Sequence, residues 1–285
     1  MVAQKLLFAL ALVVGAAGTT AQTTRVVRLT TADDVGIIGT YYPSELEWAP
    51  AVLLLHDLNR DRSDWNDFAS LLQSNRIAAL TIDFRGHGES TRELTANGPV
   101  ELKLKDFTEL DLRKMLLDIE AAVDWLQMQS EIDKKHIALI GASLGANLAL
   151  RYAALNHDLA GVALLSPGLN YRSIRTDDVI RQLGGMPVQI FVSHDDGYAF
   201  ESSKRLIEIR QELGVTNTNK ELMVCTGSLH GTPMLRGVKD FPQILLSWCR
   251  QVLSGEKPAA PTRPPDFTTH GSSPTDRSAP SLPAK

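Results

Sequence analysis

The chain has 285 residues, 44% hydrophobic and 22% charged, with a formal net charge of -4. This is the composition of a globular protein with a sizeable core, and it excludes wholesale disorder. The mildly acidic balance, with no run of Lys or Arg, excludes a basic footprint for nucleic acid and a polybasic membrane anchor, so small neutral molecules are the expected partners.

Residues 1–21 read differently from the rest. Lys5 precedes an apolar stretch from Leu6 to Ala17, and Thr19, Thr20 and Ala21 are small residues suited to cleavage. The apolar stretch is shorter than the roughly 20 residues a spanning helix needs. The expectation is a signal peptide cut after Ala21 and an exported protein, periplasmic or secreted, with no stable membrane anchor.

A domain over 22–254 follows. It opens with a predicted hairpin, "RVVRLTT" and "GIIGTYYP", turning at Asp33 and Asp34. Apolar strands are then predicted at 51–56, 77–83, 136–141, 161–166, 188–193 and 221–227. Runs this apolar suit strands covered on both faces, as in a parallel sheet. Between them, Leu112, Met115, Leu116, Ile119, Val123 and Leu126 share one face of a helix predicted over 107–129, with Asp106 and Glu109 spaced as a capping box. The run after Ser143 is apolar nearly all round and predicts a central helix. The last helix is predicted from Asp240, with Pro242 in its first turn, Ile244, Leu245, Trp248 and Val252 buried, and a stop at Gly255. Strands alternating with helices in this way predict an α/β fold, with a mostly parallel central sheet and helices on both faces.

Residues 255–285 hold 7 of the 14 prolines and a single aromatic residue, Phe267, so a disordered tail is expected there. Cys225 and Cys249 are too few for a disulfide framework and read as buried free thiols. Cysteines and histidines show no metal-ligand spacing, and neither metal nor cofactor is expected.

The chemistry centres on "IALIGASLGANLAL", where Ser143 stands between Gly141 and Gly145 after a strand and before a helix. A strand, G-x-S-x-G and a helix make a nucleophile elbow, in which close packing leaves no room for side chains at the glycines. A serine hydroxyl is a weak nucleophile and needs a histidine base held by a carboxylate. Downstream, the strand at 188–193 runs into "HDDG" and the strand at 221–227 into "SLHGTP", placing acids and His230 in loops at strand carboxyl ends, where open α/β sheets build their sites. Asp195 and Asp196 are adjacent, and spacing leaves both open as the orienting acid.

His194 is the main rival base, but it lies too close to the acids to donate to one and reach Ser143 as well. His136, His157 and His270 read as structural or solvated, and His56 and His87 as fixing loop backbone. Oxyanion donors are expected from the backbone N–H of Leu144 at the helix start and of Leu58 in the loop after 51–56.

These segments together resemble the α/β-hydrolase superfamily over roughly 25–254. "LLLHDLNRDRSDW" is similar to its His-Gly oxyanion segment, "DFRGHGES" to its conserved turn, "GASLG" to its elbow and "GSLHGTP" to its histidine segment. "PVQIFVSHDDGYAFESS" is similar to its acid segment, in which the carboxylate corresponds to the second aspartate, hence Asp196. The likeness runs toward exported bacterial serine esterases and dienelactone-hydrolase-like enzymes, although dienelactone hydrolases use cysteine as nucleophile. It implies the hydrolase fold without a substantial cap, since about twenty residues after Ser166 leave room for one connecting helix. It also implies cleavage of a small carboxylic ester by Ser143, His230 and Asp196 through an acyl-enzyme. Asp57, where the family most often has glycine, departs from the pattern. Peptidase or amidase activity, or binding without catalysis, are the alternatives.

Overall fold

The computed structural model describes residues 23–215 and 220–254, so the expected signal peptide and tail lie outside the described residues. Twelve strands are described: β1 Arg25–Thr30, β2 Val35–Tyr42, β3 Ala49–Leu55, β4 Ala78–Ile82, β5 Arg92–Thr95, β6 Gly98–Glu101, β7 Ile132–Ala142, β8 Gly161–Leu165, β9 Asn170–Tyr171, β10 Ile174–Arg175, β11 Val188–Ser193 and β12 Leu222–Cys225. The helices are α1 Asn66–Ser74, α2 Glu109–Met128, α3 Leu144–Leu155, α4 Gly197–Glu212, α5 Met234–Gly237 and α6 Phe241–Leu253.

Ten strands form one sheet in the order β12-β11-β8-β7-β3-β4-β2-β5-β6, with β1 on β2. From β12 to β4 all neighbours are parallel, and β1, β2, β5 and β6 pair antiparallel at the other side. The period of two in a strand sorts the core into halves. Leu53 and Leu55 of β3 pack with α2, α3 and α4 on one face, while Val52 and Leu54 pack with α1 and α6 on the other. This two-sided burial is why the central strands read as unbroken apolar runs.

The expected hairpin, the six parallel strands and the three helices are present, with corrections at their ends and connections. The capping box of α2 is formed by Thr108 and Asp111 rather than Asp106 and Glu109: Thr108 N donates to Asp111 Oδ2 at 2.9 Å, and Asp111 N to Thr108 Oγ1 at 3.4 Å. Asp106 instead ends a 3-10 turn, Leu104–Asp106, and Phe107 is extended. The segment between β8 and β11 holds no connecting helix but the two-stranded hairpin β9–β10 and a 3-10 turn, Ile180–Gln182. α6 ends at Leu253, two residues before Gly255. Cys225 and Cys249 are buried and free. Among the described residues no helix is long and apolar enough to cross a membrane.

Candidate active site

Three loops at the carboxyl ends of β7, β11 and β12 meet at one rim of the sheet. β7 delivers Ser143 at φ 52 and ψ -116, a backbone conformation rarely occupied by a residue with a side chain. Its N–H donates to Leu165 O of β8 at 2.8 Å, which helps hold the turn. The flanking glycines show why no side chain is tolerated. A Cβ on Gly141 would lie 2.2 Å from Gly145 O, and one on Gly145 would lie 2.4 Å from His56 O. The turn therefore packs α3 directly on the backbones of β7 and β3.

His230 Nε2 lies 2.8 Å from Ser143 Oγ, and His230 Nδ1 lies 2.8 Å from Asp196 Oδ2. An ionised carboxylate only accepts, so Nδ1 carries the proton and Nε2 is left to accept from the hydroxyl. Asp196 directly precedes α4, and its side chain is 14% exposed against 35% for His230. Asp195 instead accepts from His194 Nδ1 at 2.7 Å, in a pair more than 60% exposed. The structure thus brings Ser143, His230 and Asp196 together and leaves Asp195 and His194 outside.

Leu144 opens α3, where first-turn N–H groups have no acceptor within the helix. Leu58 follows β3 as expected, directly after Asp57, whose carboxyl lies beside the histidine loop: a Cβ on Gly231 would come within 3.1 Å of Asp57 Oδ2. Burial is the largest influence on Asp57 and pushes its carboxyl above the usual carboxylate range. His56 and His87 fix loop backbone: His56 Nδ1 lies 2.7 Å from Asp57 O, Phe84 N donates to His56 Nε2 at 3.0 Å, and His87 Nδ1 lies 3.0 Å from Arg85 O.

Four further residues support the site and were not singled out from the sequence. Ser193 Oγ donates to Leu229 O at 2.7 Å, and Ser166 Oγ accepts from Gly231 N at 3.1 Å, so serines ending β11 and β8 clamp the histidine loop on both sides of His230. Thr232 donates to Asp64 at 2.6 Å, tying that loop to the segment after β3. The Tyr171 ring stands edge-on to His230 with centroids 6.1 Å apart. The legible signal was a serine closing each of two strands. The partner loops it serves are set only by the tertiary fold.

The family model described as "Alpha/beta hydrolase family" matches residues 52–217. The chain belongs to the alpha/beta hydrolase family. Among curated relatives, an uncharacterized protein of Mycobacterium tuberculosis is 30% identical over 138 residues, 48% of this chain and 43% of its own length. A polyketide transferase of Stachybotrys chlorohalonatus is 27% identical over 146 residues, 51% of this chain and 45% of its own length. The matches thus span less than half the length of these relatives. Among solved structures, an alpha/beta hydrolase from Penicillium aligns over 82% of this chain and 100% of its own at a TM-score of 0.66 and 15% identity. An esterase of Pyrococcus furiosus aligns over 81% and 90% at a TM-score of 0.59 and 18% identity. Such identities speak for the alpha/beta hydrolase fold, with its parallel sheet and two helical layers.

Proposed function

We propose that this alpha/beta hydrolase is a serine hydrolase that cleaves carboxylic esters through an acyl-enzyme, with Ser143 as nucleophile, His230 as base and Asp196 as orienting acid. The observation that carries the reading is the unbroken relay from Ser143 Oγ through the His230 ring to Asp196, at 2.8 Å on each side. In the forward step Ser143 Oγ bonds to the acyl carbon while its proton passes to His230 Nε2. Asp196 holds the imidazole in the required tautomer and favours the imidazolium as it forms. As the carbonyl oxygen gains charge, the N–H groups of Leu144 and Leu58 are the proposed donors to it. His230 then returns the proton to the leaving alcohol, and water repeats the sequence on the acyl-serine.

The test is labelling of the purified protein by a fluorophosphonate probe, expected in the wild type and lost in Ser143→Ala. The same substitution should lower turnover of a short p-nitrophenyl ester on the order of 10⁴-fold. Hydrolysis retained in Ser143→Ala would reject the assignment. Relatives named polyketide transferases favour a second reading, in which an alcohol rather than water takes the acyl group. Product analysis with added alcohols separates the two.

The protein is further proposed to be exported, on the strength of Lys5 and the apolar stretch that follows it. Fractionation of the native host with N-terminal sequencing should find the mature chain starting at Gln22, outside the inner membrane. A cytoplasmic chain starting at Met1 would refute this.

A further inference from the structure

Asp57 stands between the end of β3 and Leu58, and its carboxyl turns inward to the serine and histidine. A Cβ on Gly231 would lie 3.1 Å from Asp57 Oδ2, so the bare glycine beside His230, held at φ +65, leaves the space beside the carboxyl free. The same Gly231 position lies 3.5 Å from Ala142 Cβ, next to Ser143, so the carboxyl sits between the serine and histidine loops. Burial raises it, and the Ser143 hydroxyl, the His230 imidazole and the Leu58 N–H act against that rise. Among the described residues no Lys or Arg forms an ion pair with Asp57. Arg60 acts on it through space, but the Arg60 guanidinium is held by Asp64 at 3.0 Å. This is a half-buried acid without a dedicated cation, beside the loops that carry the attacking group and one proposed oxyanion donor.

A carboxylate here stands one residue before the N–H proposed for the developing oxyanion. With a neutral acyl group, the transition state places two negative charges close together, and the barrier rises. With a protonated amine on the acyl chain, the cation lies between carboxylate and oxyanion and favours both. The neighbouring wall is aromatic. Tyr171 stands edge-on to His230 at 6.1 Å and meets Tyr198 edge-to-face at 5.5 Å. Aromatic faces beside a carboxylate suit an ammonium group better than an anion.

We propose that Asp57 determines specificity in this site, selecting esters whose acyl group carries a cationic amine a few bonds from the scissile carbonyl, the chemical class of aminoacyl esters. The proposal rests on the serine-hydrolase reading above and narrows its substrate. Its test compares three p-nitrophenyl esters at about pH 7: β-alanyl, which is cationic, and the neutral butyryl and N-acetyl-β-alanyl esters. The wild type should favour the β-alanyl ester over both neutral ones by about 10-fold or more in kcat/KM. In Asp57→Asn that ratio should collapse to within about 3-fold, through loss on the cationic ester together with gain on the neutral ones. Asp57→Gly, which restores the residue most common in the family, should show the same collapse.

A flat ratio in the wild type, or a preference that survives in either variant, overturns the proposal, and the wild-type comparison does so whether or not the variants fold. The two readings fail in different ways. A wild type that labels with the fluorophosphonate but shows no preference keeps the hydrolase and loses the selectivity. One that neither labels nor turns over any of the three esters loses both.

Discussion

At the scale of single residues the site depends on which acid holds the imidazole, and adjacency alone did not decide it. Asp195 and Asp196 share a turn, yet only Asp196 reaches His230, while Asp195 spends its carboxylate on exposed His194. Asp196→Asn should let the ring adopt the wrong tautomer and lower ester turnover on the order of 10³-fold or more, whereas Asp195→Asn should change it less than about 3-fold. Equal losses in the two variants would show that the serine loop is served by both acids. Spacing and the apolar strands made Ser143 and His230 legible, because each lies just past a strand in a loop type known to carry chemistry. The inward turn of Asp57 and the clamps from Ser166 and Ser193 were not legible, since a side chain's direction in a loop is fixed by contacts that no local pattern records.

At the scale of elements, the elbow is a packing device before it is a chemical one. Gly145 lies against His56 O at 2.4 Å and Leu55 O at 2.7 Å from the position a Cβ would take, so Gly145→Ala must push α3 away from β3. Overpacking of this kind costs about 1–3 kcal/mol. Because Ser143 and Leu58 ride on those two elements, ester turnover should fall further than the stability loss alone explains, which parallel denaturation and kinetic measurements on the folded variant would reveal. A variant with normal turnover and normal stability would mean that the turn relaxes at no cost. The cap of α2 joins only Thr108 and Asp111 and none of Ser143, His230 and Asp196. Thr108→Ala should remove about 1 kcal/mol of stability and leave ester turnover unchanged. Asp106 and Glu109 had the same three-residue spacing as the true pair, Thr108 and Asp111. The choice between them fell to the extended backbone at Phe107 and Thr108, which side-chain spacing does not encode.

At the scale of the whole molecule, the parallel sheet was legible because its strands are buried on both faces and therefore carry little polar punctuation. The antiparallel edge was only half legible. β5 reads "RELT" and β6 "GPVE", with exposed positions that no core demands, so nothing in their apolar pattern marks them as strands. The same burial that writes the central strands also sets the acid response of the fold. His56 is fully buried where β3 ends, and burial pushes its imidazole down to about 3, helped by nearby His87. Its Nε2 must keep a lone pair for Phe84 N–H, so the folded ring stays neutral. The unfolded chain takes up a proton below about 6.5, and the folded chain does not until about 3. This contribution is therefore complete above 6.5 and declines as the pH falls toward 3, by up to about 1.4 kcal/mol per pH unit. Asp33, held at about 2 chiefly by its hydrogen bonds to Arg85, loses its own contribution only below about 3.8, so above that pH it does not overlap the His56 window. Urea denaturation between about pH 7 and pH 4.5 should show that the stability change with pH in His56→Gln differs from the wild type's by about one proton, with the variant losing less on acidification. Identical slopes would mean that the buried ring titrates like a free one, and that the end of β3 opens to water well before the fold gives way.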